Sequence, residues 1–507
     1  MGLLSRLKRR NDTAATPSAR VERVLVISDI HLGEDVLDTS DIDMSRYISA
    51  LNRELAAFVS THRQRDADWH LVINGDMFDF VKINAITADA ELVEDENTPV
   101  TVARKLDRIF EIHRPLFKEL AEFVRAGHRL TLIEGNHDAE TFFPEVRERF
   151  VSNLAALGHR RARERGEELN ENEFVERIAF QTWFEADPGR FHIEHGHAYD
   201  EFCAFEYNLA PYDRPGADRL ATPLTHTTIP LIARALGGEF STHGIDNLSS
   251  WQHLRRVLAM GPRVFWVMTK LYFHMLWEVL AKAVGRGRRQ RAELAELHRS
   301  RLEALSAETP YGFKTLEALD AIRAMPAEYS VTKMVCAFHA DRLFVIGLGV
   351  TGLALGFFLG GIYGWVVAGA AGVTGAVLTH LAKGQRSGNA WRDLEEAAGK
   401  IAGITGARYV IFGHSHRPVL LDLEAAYAIG RFGERAYYLN SGSWVTREIL
   451  RGEEGRGMTY IEIGPEGATL RRWRSDGSPE QIAATGVEAP LPPPEPELLL
   501  AERSEVP

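Results

Sequence analysis

The chain has 507 residues, 45% of them apolar and 25% charged, an ordinary globular balance with enough apolar material for two or three domains. A formal charge of -11 excludes the broad basic face of a general nucleic-acid binder, although local basic clusters remain. The only cysteines, Cys203 and Cys336, lack CxxC spacing, which excludes a disulfide framework and a thiolate metal site and fits a reducing compartment.

Residues 1–20 are basic but have no apolar core of the kind a signal peptide carries, and read as an unstructured tail or a short membrane-surface helix. The first strong strand pattern is VLVISDIHLG (24–33). Side chains at i and i+2 of a strand share a face, so Asp29 and His31 could grip one cation where the strand ends; alone, the pair reads equally well as a capping Asp beside a half-buried His. Residues 43–62 then place Met44, Tyr47, Ile48, Leu51, Leu55, Phe58 and Val59 on one helical stripe. WHLVINGDMFDF (69–80) is a second apolar strand, running into Gly75-Asp76 with Asp79 beyond. A second amphipathic helix over 101–126 leads to RLTLIEGNHD (129–138), ending in Gly135-Asn136-His137-Asp138. RFHIEHGH (190–197) ends in His195-Gly196-His197, and RYVIFGHSH (408–416) in Gly413-His414-Ser415-His416. Five apolar strands that end in Asp, Asn or His, with glycine in the turns, are what a binuclear metal site at one edge of a sheet requires. The β-α-β-α-β alternation predicts a largely parallel sheet with ligands at the carboxyl ends of its strands.

Between His197 and Arg408 the pattern changes to a helical insertion, taken as residues 201–400. Its segment 264–284 is aromatic and apolar and is followed by Arg286, Arg288, Arg289 and Arg291; it reads as an interfacial helix on an anionic membrane or as a buried lid helix. Residues 343–382 contain no Asp, Glu, Lys or Arg, long enough for two membrane spans with a turn at Gly360-Gly361, a soluble buried hairpin being the other reading. Basic residues on both flanks place the ends, and the catalytic domain, on the cytoplasmic side of an inner membrane. The chain returns to strands at 435–444, 458–464 and 468–474, and from Asp476 to Pro507 it turns Pro- and Glu-rich, as an unstructured tail would.

The ordered motifs DxH, GDxxD, GNHD, HGH and GHSH resemble the calcineurin-like metallophosphoesterase superfamily over about residues 21–200 and 401–475. The resemblance implies an α/β fold, an αββα sandwich interrupted here by the helical insertion. Position for position it implies that Asp29, His31 and His416 hold one metal and Asn136, His195 and His414 the other, with Asp76 bridging. His137 would face the phosphate and help the leaving oxygen depart, Asp138 would orient it, and Asp79 and His197 would support the ligands or touch substrate. Two divalent cations, best matched as Mn²⁺ with Fe or Zn²⁺ compatible, would bind the phosphate and stabilise an in-line displacement. In layout the chain is similar to UDP-2,3-diacylglucosamine diphosphatases, which carry a helical lid at this point, so a lipid-linked diphosphate or phosphodiester at a membrane is the expected substrate. The chain departs from that group in having His137 where Arg is usual and His197 where its HGD motif has Asp. A membrane-anchored phosphatase or phosphodiesterase acting on a soluble phosphoprotein or nucleotide is the alternative; nucleic acid is not expected as a partner.

Overall fold

The computed structural model describes residues 22–33, 42–64, 67–80, 97–221, 287–330, 340–383, 390–423, 435–444 and 457–485, with a few isolated positions between them. The basic tail, the acidic loop near Glu94 and the last residues of the Pro- and Glu-rich segment lie outside them.

Two mixed sheets stack face to face. The strands are β1 (Glu22–Ile27), β2 (Asp68–Asn74), β3 (Arg129–Ile133), β4 (Ile178–Gln181), β5 (Phe184–Asp187), β6 (Phe191–Glu194), β7 (Tyr409–Phe412), β8 (Val419–Asp422), β9 (Tyr437–Asn440), β10 (Thr459–Gly464), β11 (Gly467–Arg472) and β12 (Glu480–Ala484). The larger sheet runs β12-β11-β10-β1-β2-β3-β4 and the smaller β5-β6-β7-β9-β8. The β1 to β4 run and the β6-β7-β9 run are parallel. Antiparallel strands complete the edges.

Period-two alternation explains the layers. Val24 and Val26 of β1 point into the inter-sheet core with Ile193, Ile411 and Leu439. Leu25 and Ile27 point the other way, into a core roofed by helices. Those helices are Ile42–Arg63, Pro99–Ile112, Arg114–Arg125 and Pro144–Glu164, whose apolar stripes supply Leu55, Phe58, Leu106, Phe117 and Phe150. Thr98 caps the second of them through Thr101, with Pro99 next to the cap, where a missing N–H costs nothing. On the outer face of the smaller sheet, Leu302 and Leu316 from the insertion's helices and Leu394 and Ile401 from the helix Ala390–Thr405 pack against Val410 and Phe412. The molecule is therefore an αββα sandwich, as the motif order implied.

Three expectations change. First, the strand pattern does not stop at Asp476: Glu480–Ala484 adds an edge strand to β11. Its half-exposed EQIAA pattern is too short to register as a strand in sequence. Second, Ala390–Thr405 belongs to the sandwich as its outer helix, so the insertion ends before residue 400. Third, 340–383 does form a helical hairpin, Ala340–Leu359 and Gly361–Lys383, with Gly360 and Gly361 both at positive φ in the turn. Among the described residues, however, no helix is long and apolar enough to cross a membrane. The expected membrane-spanning hairpin is thus not supported.

Candidate metal centre

The five motif strands deliver their terminal residues to one point from two sheets, β1, β2 and β3 from the larger, β6 and β7 from the smaller. The pleat is not what pairs Asp29 with His31. The strand ends at Ile27, and both residues lie beyond it at positive φ, 54° and 53°. Asp76, His414 and His416 are also left-handed, at 51°, 62° and 56°. Five non-glycine residues in a region that L side chains rarely adopt, all at one place, is strain of the sort that surrounding structure must hold and that gathers at functional sites.

Hydrogen bonds show what holds it. The backbone N–H groups of Ile30 and His31 donate to the Asp76 carbonyl, and that of Asp29 to Gly75. Asp29 Oδ2 accepts from Ser28 Oγ at 2.5 Å and from the His414 N–H at 3.0 Å, leaving Oδ1 directed at His416 Nε2, 3.1 Å away. The Asn440-Ser441-Gly442-Ser443-Trp444 turn braces the same loop: Ser443 Oγ and the Trp444 N–H donate to the Asp29 carbonyl, and Asn440 Nδ2 donates to the Gly413 carbonyl. Glycine is required where these loops touch. A Cβ on Gly135 would run into Asp76 Oδ1 and its backbone N, and one on Gly413 would stand 2.5 Å from Ser28 Oγ.

The ligand atoms fall in two groups. Asp29, His31 and His416 form one, with the Nε2 atoms of His31 and His416 3.2 Å apart. Asp29, Asp76 and His195 form the next. His195 Nδ1–H donates to the Asn74 carbonyl at 2.9 Å, which turns Nε2 toward Asn136 Oδ1 (3.2 Å) and Asp76 Oδ2 (3.3 Å). Asp76 lies between the groups, also 3.8 Å from His31 Nε2. Two imidazole nitrogens facing each other beside carboxylates repel unless a proton or a cation stands between them, and oxygen with imidazole donors suits a divalent transition ion. The residues fit two such ions.

Charge in the site runs the same way. Burial opposes the ionised form of Asp76, but His195 and His137 outweigh it and hold the carboxyl well below its usual range. Burial also opposes charge on His195, and the carboxylates of Asp76 and Asp29 overcome it, pushing the imidazole up to about 10. This point therefore demands positive charge. His31 goes the other way: burial pulls it down to about 4 against the pull of Asp79, so it is neutral, as a ligand must be.

The remaining sequence candidates are placed as follows. His137 has its backbone N–H on Asp76 Oδ1 (2.8 Å), its ring edge-on to His31, and a side chain 16% exposed where the ligand histidines His31 and His195 are sealed. The carboxylate beside its Nδ1 is Asp79, at 3.3 Å. Asp138, expected to orient His137, instead accepts from the backbone N–H groups of Gly135 and Met77, each at 2.7 Å, and Phe78 at 3.3 Å; buried there and next to Asp76, it is pushed up to about 7. The residue adjacent in sequence is thus used to shape the GNHD loop, while the carboxylate nearest the His137 ring is that of Asp79, 58 residues away, whose Oδ2 also lies 3.6 Å from His31 Nδ1. His197 is buried between the His195 and Phe205 rings. His414 lies with its ring 5.4 Å from that of His195, and its Nε2 is held by Asp200 Oδ2 at 3.0 Å, with Cys203 in the same group. Asp200 escaped the sequence reading: it stands three residues past the HGH motif and joins no recurring pattern.

Comparison with family models matches residues 22–255 to the calcineurin-like phosphoesterase family. Curated proteins give no match. The matched segment carries every candidate from Asp29 to His197, and β7 then returns the chain to the same point with His414 and His416. Residues 22–255 accordingly match a family of metal-dependent phosphoesterases, and the carboxylate and imidazole groups gathered here are candidate ligands for the binuclear divalent-metal centre that the family uses.

Proposed function

We propose that the phosphoester cleaved is a diphosphate or phosphodiester of a lipid-linked substrate, of the UDP-diacylglucosamine kind, met at a membrane surface by a catalytic domain on the cytoplasmic side. One observation carries the reading: the insertion is fastened to the ligand loop itself. Asp200 holds His414, and the next residue, Glu201, accepts from Lys333 Nζ at 2.5 Å through its carboxylate and from the Ala327 N–H at 2.7 Å through its carbonyl; the Ala324 N–H donates to Ala198. The apolar hairpin begins a few residues later, at Ala340. A substrate with apolar chains would find its apolar contacts and its hydrolytic centre on one continuous stretch of protein.

Two divalent cations, proposed as Mn²⁺, supply the Lewis acidity for the displacement when bound. Asp29, His31 and His416 would hold one and Asn136, His195 and His414 the other, with Asp76 available to both. The protein's own part is orientation and proton handling. His137, on the more open side and oriented through Nδ1 by Asp79, is placed to protonate the departing oxygen. The buried Asp29 and Asp76 stay ionised and fix the ligand rings.

The test is Mn²⁺-dependent hydrolysis by the full-length protein of a UDP-linked diacyl sugar in mixed micelles beside a soluble phosphodiester, with Asp76→Ala as the blank. Preference for the lipid substrate is expected. Equal or faster turnover of the soluble ester would replace this reading with that of a phosphatase or phosphodiesterase for soluble substrates, and an active Asp76→Ala would remove the shared carboxylate from the scheme.

A further inference from the structure

We propose that the hairpin Ala340–Lys383 is a lipid-docking element whose turn end enters the acyl layer of an anionic phospholipid surface, with neither helix crossing it. The helices meet through small residues: a Cβ on Gly352 would stand 2.5 Å from the Ala371 methyl, and one on Gly356 2.8 Å from the Gly364 carbonyl. That seam leaves the large side chains pointing outward. Phe357 is 87% exposed, Phe358 85%, Trp365 79% and Tyr363 77%, all beside the turn, and Leu353 and Val373 continue the exposed surface down the two helices. Water around such a surface is costly, because each large apolar side chain left uncovered keeps its hydration shell.

The arrangement selects the occupant. A second copy or another folded protein covers one strip of a hairpin. Here apolar side chains leave both helices and the turn, so the cover must be a continuous apolar phase. Charge agrees: 343–382 carries no Asp, Glu, Lys or Arg, whereas Arg342 and Lys383 bound it and Arg386 and Arg392 follow. Basic residues at the base of an apolar projection match anionic headgroups over acyl chains. A separate element has the same chemistry. Residues 266, 270, 273 and 277 are helical and exposed, one stripe at successive turns that reads Trp, Lys, Phe, Trp, and Arg286, Arg288 and Arg289 follow in sequence.

The experiment is flotation of the full-length protein with vesicles of phosphatidylcholine containing about a quarter phosphatidylglycerol, read without turnover and so independent of the substrate proposal. The wild type should float, and should do so less in phosphatidylcholine alone. The triple change Phe357→Asp, Phe358→Asp and Trp365→Asp should lower binding on the order of a hundredfold with its circular dichroism and melting unchanged, because the three side chains lie outside the core. Trp365→Phe keeps the apolar surface; it should float normally and show less quenching of tryptophan emission by brominated acyl chains. The proposal is overturned if the wild type stays with the aqueous phase, if the triple variant floats as well as the wild type, if Trp365→Phe leaves the quenching unaltered, or if the apolar tip proves instead to mediate a dimer in lipid-free buffer.

Discussion

Gly75→Ala tests how tightly the fold and the metal centre are tied together. Gly75 follows β2 at φ 77°, and an added Cβ would lie within 3.0 Å of His195 Nδ1, Cγ and Cβ. The ring cannot simply retreat, because its Nδ1–H is bonded to the carbonyl of Asn74. Holding an L side chain in the left-handed region costs about 1–2 kcal/mol. Overpacking against a fixed ring adds about 1–3 kcal/mol, and the stiffer unfolded chain returns about 0.4–1 kcal/mol. The net loss is about 1–5 kcal/mol, measured by urea unfolding of the metal-free proteins. If His195 shifts instead of the backbone, metal affinity falls by about 10–100-fold, read by chelator competition. Gly127→Ala is the matched control, since its φ is 100° with nothing within 4 Å of the added Cβ; it should show the backbone cost alone and full metal content. A Gly75→Ala protein as stable as wild type with both ions bound would refute the reasoning.

His137→Ala should lower turnover by about 10²–10⁴-fold while both metals stay bound by elemental analysis; loss of metal would make His137 a ligand, a role its nearness to His31 and Asp76 also allows. Asp200→Asn should weaken one of the two metal sites by about 10–100-fold, with activity recovering at high metal, because a carboxylate on the far nitrogen of a ligand imidazole fixes its orientation and basicity; unchanged affinity in a chelator titration would show that the contact is structural only. His113, buried and with its Nδ1–H donating to Asn52 Oδ1, is pulled by burial from 6.5 down to about 4. The unfolded chain binds the proton that the fold excludes, so this contribution, about 3 kcal/mol, is present above pH about 6.5 and is lost as pH falls toward about 4. His113→Gln should flatten that part of the stability curve; identical urea midpoints for wild type between pH about 7.5 and about 5 would contradict it.

The sequence by itself determined the strands, the amphipathic helices and the residues each strand carries at its end, because alternation of period two and period 3.6 and a glycine in a tight turn are local properties. It therefore placed Asp29, His31, Asp76, Asn136, His195, His414 and His416 in one neighbourhood. What local pattern could not determine was direction. The family resemblance implied that Asp138 serves His137, but the tertiary fold points Asp138 into backbone N–H groups and brings Asp79 near the imidazole. Alternation suggested that Asp29 and His31 share a strand face, whereas left-handed turns braced by Asp76 and Trp444 bring them together. Asp200 reaches His414 across 214 residues, and β12 exists only because β11 offers it an edge. The apolar run at 343–382 fixed a helical hairpin, but only the close seam of Gly352, Gly356 and Gly364 decided which side chains turn outward. Such choices rest on hydrogen bonds and van der Waals contacts between segments far apart in the chain, and those contacts form only once the two sheets have packed.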